Sequence, residues 1–199
     1  LEEVIAAQAK LVAHWMSLGF IHGVMNTDNV SIAGETIDYG PCAFMDVFHA
    51  DRVFSSIDEM GRYAYSNKPR IAHWNMVQFA QALLSLLGET EDQAVERAQA
   101  AVNSFPALYE NAYNKHMAQK LGLADPSQQT IALANDLLAL MQAQELDYTA
   151  TFTKLTRGEG IDNLEWLDRW QALSPDRALM AQYNPVFMPR NHRIEEAIR

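Results

Sequence analysis

His22-Gly23-Val24-Met25-Asn26-Thr27-Asp28-Asn29, followed by Thr36-Ile37-Asp38-Tyr39-Gly40-Pro41, is the stretch from which this chain is best read. Between its two halves lie two short segments of β character, Val30–Ile32 and Thr36–Ile37, with Gly34 between them. Pairing Ile32 with Glu35, or Ser31 with Thr36 across a longer loop, predicts a hairpin over 29–38 in which Val30 opposes Ile37 and Asn29 opposes Asp38. Side chains alternate between the faces of such a ribbon, so Val30, Ile32 and Ile37 would face the core. Asn29, Ser31, Thr36 and Asp38 would share the other face. Opposed residues stand roughly 4.5–5.5 Å apart, so Asn29 and Asp38 would offer two hard oxygen donors side by side. Two such ligands leave most of an octahedral magnesium shell free, as is usual when the ion also binds phosphates. Asp28, directly before the first ligand, is placed to act as general base or to hold a metal-bound water. The competing reading is a polar hairpin whose Asn and Asp serve only the turn.

Outward from this stretch the pattern is helical. Val4, Ile5, Leu11, Val12, Trp15 and Met16 lie near one face of a helix over 2–18, with Gln8 a polar interruption and Gly19 its stop. Residues 20–29 read as a loop, and 43–70 as irregular, with turn formers at Gly61, Asn67 and Pro69. Further helices are expected over 71–87, 91–105, 107–121, 128–145, 148–156, 161–172 and 191–198, punctuated by Gly88, Pro106, Gly122 and Pro126. Thr90 is a candidate N-cap. The fold class is therefore mainly α, with one short β-hairpin. No repeat or low-complexity segment interrupts it. A helix already under way at Leu1, without an initiating Met, suggests a fragment of a longer protein.

The 199 residues include 49% hydrophobic and 20% charged, enough for a core in one lobe spanning 1–199. The net charge of -10, with the basic residues thinly spread, argues against a nucleic-acid partner. No apolar run reaches the roughly 20 residues of a membrane span, and no leader pattern is present. The single cysteine, Cys42, forms no internal disulfide, which points to a reducing, cytoplasmic compartment.

The order of the motifs adds to this. Protein kinases show H-R-D-x-x-x-x-N and then D-F-G, with the Asn and the second Asp on magnesium. Here His22 stands seven residues before Asn29, and Asp38-Tyr39-Gly40 follows. Val24 occupies the position of the kinase catalytic Asp and accepts no proton, which sets ordinary γ-phosphoryl transfer aside. The strings H-G-V-M-N-T-D-N and T-I-D-Y-G-P together resemble the selenoprotein O family of kinase-like protein adenylyltransferases. The resemblance extends through Gly61-Arg62-Tyr63, Pro69, Trp74-Asn75, Asn184-Pro185 and Arg190-Asn191. It implies the C-terminal lobe of a protein-kinase-like fold, with the nucleotide-binding N-terminal lobe lying outside this chain. It further implies AMP transfer from ATP to hydroxyl side chains of proteins, with Asp28 as proton acceptor, Asn29 and Asp38 as magnesium ligands and Asp38 near ATP. Manganese is the alternative ion. A fragment lacking the covering lobe is expected to be inactive alone. The other function class is a pseudokinase scaffold that holds nucleotide or partners without chemistry, a reading motivated by Val24.

Other residues carry blander expectations. His22 is read as a brace of the backbone and Cys42 as a packing residue. Trp15, Trp74, Trp166 and Trp170 are read as core, and the methionines as gap fillers. Gly158-Glu159-Gly160 is too sparse for a phosphate loop. Arg190, His192 and Arg193 read as a solvated helix start, and Asp46, Asp51 and Asp58 as a charged loop after the Asp-Tyr-Gly turn.

Overall fold

The first helix, α1 (Glu2–Leu18), forms where the apolar spacing predicts it and ends at Gly19, which takes a left-handed conformation at φ 69°. Only glycine does so without strain, and a Cβ there would lie 2.9 Å from the Tyr148 ring. The computed structural model describes all of residues 1–199. After Gly19 come β1 (Phe20–Ile21) and β2 (Ala43–Phe44), paired antiparallel with Phe20 opposite Phe44 and Ile21 opposite Ala43. Then follow α2 (Lys68–Ala82), α3 (Leu84–Leu87), α4 (Glu91–Asn103), α5 (Phe105–Lys120) and α6 (Gln128–Ala143). The chain closes with α7 (Tyr148–Arg157), α8 (Leu164–Gln171), α9 (Arg177–Tyr183) and α10 (Asn191–Ile198). No helix is long and apolar enough to cross a membrane.

Helix α1 packs along α5 at the centre. Ile5, Ala9, Val12 and Ala13 of α1 and Ala118 of α5 have no exposed surface, and the small alanines allow the close approach. Leu133, Leu137, Met141, Phe152, Leu155, Trp166 and Trp170 continue the core. Trp166 and Trp170 stack with centroids 5.8 Å apart. Their indole N–H groups donate to Leu133 O (3.0 Å) and Leu121 O (2.8 Å), so neither buried donor is left unpaired.

Helix starts follow their caps. The Thr90, Ser127, Asp147 and Asn163 side chains each accept a backbone N–H of the following turn. Pro69, expected as a turn former, and Pro106, expected as punctuation, instead sit within first turns. Pro69 opens α2 and Pro106 opens α5, where a missing N–H costs nothing. The helix expected over 71–87 is broken at Leu83 into α2 and α3. Helix α9 was not anticipated; it spans seven residues, too few for a periodic signal, and is held by the Asp176 carboxylate accepting from Ala178 and Leu179 N–H. Trp74, expected in the core, is 41% exposed, with the Arg62 guanidinium 5.0 Å from its ring.

The expected hairpin over 29–38 is not formed. The two-stranded ribbon lies outside it, at 20–21 and 43–44. Ile32 is 65% exposed and Ile37 37% exposed, while Val30 packs partly against the core. The reason is competition for backbone groups. The carbonyl oxygens of Ser31 and Ile37 accept from side chains rather than from an opposite strand, and Gly34 N–H closes a local turn onto Ser31 O.

Lys120 is buried at the end of α5, with its Nζ 4.0 Å from the Phe152 ring centroid, and burial pushes its pKa from 10.5 down to about 7. The native protein therefore holds fewer protons than the unfolded chain between those two pH values, and stability rises with pH across that window. The penalty is full below pH 7 and fades toward pH 10.5. Urea unfolding of Lys120→Met against the parent protein should show a gain of about 4 kcal/mol at pH 7 that falls to about 1 kcal/mol at pH 9.5. A gain independent of pH would show that Lys120 is not desolvated.

Candidate active site

The β1–β2 ribbon sets residues 22 and 42 side by side, so the two halves of the motif leave the helical body from one base. Gly23 shows how closely they meet. At φ 87° its added Cβ would lie 2.5 Å from Pro41 O, so only glycine fits where the two halves cross. The ribbon base is itself clamped. Tyr65 and Tyr148 hydroxyls donate to the last carbonyls of α1, at 2.6 Å to Met16 O and 3.0 Å to Ser17 O. The buried Lys68 Nζ donates to Phe20 O.

His22 has no exposed surface and packs on Trp15, with ring centroids 5.5 Å apart. Its Nε2 lies 2.7 Å from Ile37 O. A carbonyl only accepts, so Nε2 carries the hydrogen. The expectation that His22 braces the backbone is met, and the bond reaches the peptide that leads into Asp38. Trp15 Nε1 donates to Thr36 Oγ1 (2.9 Å), and Gln8 Nε2 donates to Ser31 O (2.6 Å). Gly34 rests on α1 so closely that a Cβ would lie 2.7 Å from Ala7 Cβ. The 31–37 segment is therefore held by side chains of α1 and by His22.

The other half is held from α2 and its approach. Asn75 Nδ2 donates to Met25 O (3.1 Å), and Tyr63 OH donates to Asn26 Oδ1 (2.5 Å). Thr27–Asn29 form a single 3-10 turn. Asn29 Nδ2 donates to Val24 O (3.2 Å), which fixes the amide and leaves its Oδ1 as the free donor atom. Asp28 and Asp38 are both exposed. Neither carboxylate takes part in an ion pair within the protein. Asp38 is left-handed at φ 53°, and its carbonyl accepts from Gly40 N–H at 2.8 Å. Asp tolerates that conformation better than most residues, and strain of this kind collects where a side chain must be aimed.

The donor set expected from sequence, the Asn29 amide oxygen with carboxylates, is all hard. No cluster of three or more His, Cys, Asp or Glu is arranged to hold a metal by itself. That chemistry suits an ion that takes its remaining ligands from phosphates and water. A cleft of about 370 Å³ runs beside the turn, lined by Thr27, Val30 and Ile32 and, from α2, by Trp74, Asn75 and Phe79. The residues that position the site, Gln8, Trp15, Tyr63 and Asn75, were not singled out for that role from sequence. Gln8 gave a signal as a polar residue on an otherwise apolar face, and Tyr63 and Asn75 lay in strings that carry the family resemblance; Gln8 is 3% exposed.

Arg190 corrects another expectation. It is no solvated helix start: its guanidinium meets Asp147 in a two-pronged pair at 2.6 and 3.0 Å and also contacts Asp46. These bonds, led by that to Asp147, raise its pKa. Cys42, half-buried, donates its thiol to Tyr39 O at 3.4 Å, and burial pushes its pKa up.

Comparison with known proteins agrees with the motif. The family described as protein adenylyltransferase SelO matches residues 1–173. A protein nucleotidyltransferase YdiU from Mycolicibacterium smegmatis is 52% identical over 205 residues, covering 99% of this chain and 42% of the relative. Proteins of the same name from Roseobacter denitrificans (52% over 209 residues) and Geobacillus kaustophilus (48% over 214) match 100% of this chain and 44% of their own length. The chain therefore spans less than half the length of these curated relatives. With the family matched over most of its length and its motif held in the clamped loop just described, the chain belongs to the SelO family of protein adenylyltransferases.

Proposed function

We propose that this chain is the metal- and phosphate-binding lobe, kinase-like in fold, of an enzyme that transfers AMP from ATP to Ser, Thr or Tyr hydroxyls of proteins. The observation that carries the reading is the clamped loop in which Asn29 Oδ1 and the unpaired Asp38 carboxylate are left free while the backbone around them is held. Asn29 and Asp38 would hold magnesium, or manganese in its place, and Asp38 would stand near ATP. The ion, when bound, neutralises phosphate charge and polarises the α-phosphate. Asp28, exposed and without a counter-ion, would accept the proton of the attacking hydroxyl. His22 positions Asp38 through the Ile37 peptide, and Asn75 with Tyr63 positions the turn that bears Asp28. Transfer at the α-phosphate releases pyrophosphate. The relatives' length implies a further part of the protein that completes the nucleotide site. We place the enzyme in a reducing, cytoplasmic setting.

The second reading is a nucleotide-binding scaffold, and Val24 favours it. That side chain, in the place of a kinase base, is half-buried, and its carbonyl is occupied by Asn29. The two readings separate in one assay. With the full-length protein, labelled ATP and a protein acceptor, label should transfer from the α position and not the γ. ATP binding with no transfer of either label would support the scaffold instead.

The assigned roles also divide. Asp28→Asn should lower kcat by about 10²–10⁴-fold while leaving the magnesium concentration for half-maximal rate unchanged. Asp38→Asn should raise that magnesium requirement by about tenfold or more, the loss of one charge-assisted contact. Equal α-label transfer by the parent and Asp38→Asn proteins would sink the metal assignment.

A further inference from the structure

A second cleft, of about 390 Å³, opens between the C-terminal part of α1, the end of α5 and the segment that follows α9. None of Asp28, Asn29 or Asp38 lines it. His14 and His116 both line it as neighbouring rings, with centroids 5.3 Å apart. Lys120 lines its inner wall and is 3% exposed. Leu18, Phe44, Pro185 and Met188 supply an apolar side, while Tyr183 and Gln182 stand at the polar side. No carboxylate lines the cleft, although the chain has 25 acidic residues against 15 Lys and Arg.

We propose that this cleft binds a small phosphate monoester with an apolar body. Three basic side chains line it without a counter-ion from the protein. Burial, and then the neighbouring Lys120 charge, lowers the pKa of His14; burial, then His14, Lys115 and Lys120, lowers that of His116. Such a cluster is left short of negative charge, and a bound dianion supplies it by favouring the charged form of each group. A phosphate monoester carries close to two negative charges at neutral pH, its second pKa being about 6. Its oxygens accept from two imidazoles and an ammonium, which are donors of the charge-assisted kind. The cleft lies within the usual size range of small-ligand sites, about 300–1,000 Å³. Its apolar wall favours an ester with a ring or alkyl body over inorganic phosphate. The inference stands apart from the adenylyl-transfer reading, since it uses none of those residues.

Phenyl phosphate is the probe, with inorganic phosphate and sodium chloride of matched ionic strength as comparisons. The ring signals of His14 and His116, followed by NMR as pH is varied, report on this cleft alone. Phenyl phosphate should raise both histidine pKa values, bind with a Kd of about 1 mM or tighter, and outcompete inorganic phosphate. Lys120→Met and His116→Gln should each weaken binding by about tenfold or more, while far-UV circular dichroism stays unchanged. Histidine shifts no larger than those given by sodium chloride would overturn the proposal. So would binding that both variants leave intact. A divalent cation in the cleft instead would compete with protons and lower both histidine pKa values, the opposite sign.

Discussion

A single fully buried imidazole connects the two halves of the motif: His22, at the end of the first strand, donates to the carbonyl of Ile37, the residue before Asp38. An imidazole without access to water must keep its hydrogen-bond partner, and a peptide so held cannot move without exposing or orphaning both groups. The left-handed Asp38 is tolerable because its neighbours are determined from elsewhere. Trp15 and Gln8 extend the same device from helix α1, so one helix face holds the 31–37 segment in place of cross-strand pairing.

That helix is in turn secured at its end. Its carbonyls at Met16 and Ser17 accept from Tyr65 and Tyr148, Gly19 O just beyond accepts from Met45 N–H, and Phe20 O from the buried Lys68. Burial pushes the Lys68 pKa well down and both tyrosine pKa values well up, which keeps the phenols neutral donors. The chain after the motif is tied down separately. Tyr148 N–H donates to Asp46 O and Phe48 N–H to Leu146 O, while Arg190 spans Asp46 and Asp147. Asp147 also caps α7. Breaking the Arg190 pair would thus disturb a helix start and the loop beyond the Asp-Tyr-Gly turn together.

The two clefts differ in how their polar groups are supported. Around Asp28 and Asp38 the backbone is held by side-chain hydrogen bonds, while the two carboxylates, Asn29 Oδ1 and the buried His22 Nδ1 and Asn75 Oδ1 remain open. Around Lys120 the basic groups have no acidic neighbour in the cleft, so the protein bears the cost of burial itself. Buried cationic groups without a pair usually cost stability.

Local chemistry determined a large part of the fold in advance. Apolar periodicity located α1, and punctuating residues and caps located α4, α6, α7 and α10 to within a few residues, because both are properties of the chain alone. Gly19 as a stop and Thr90 as a cap were legible for the same reason. The motif residues His22, Asp28, Asn29 and Asp38 were legible as types in order, and His22 even as a brace. What sequence could not decide was which partner each backbone group in 29–38 would take. Alternating residues there read as a hairpin, yet Gln8, Trp15 and His22 approach only once α1 and the ribbon are folded, and their bonds replace the ladder. The meeting of His14, His116 and Lys120 was likewise hidden, since α1 and α5 lie about a hundred residues apart in sequence and only packing brings their faces together.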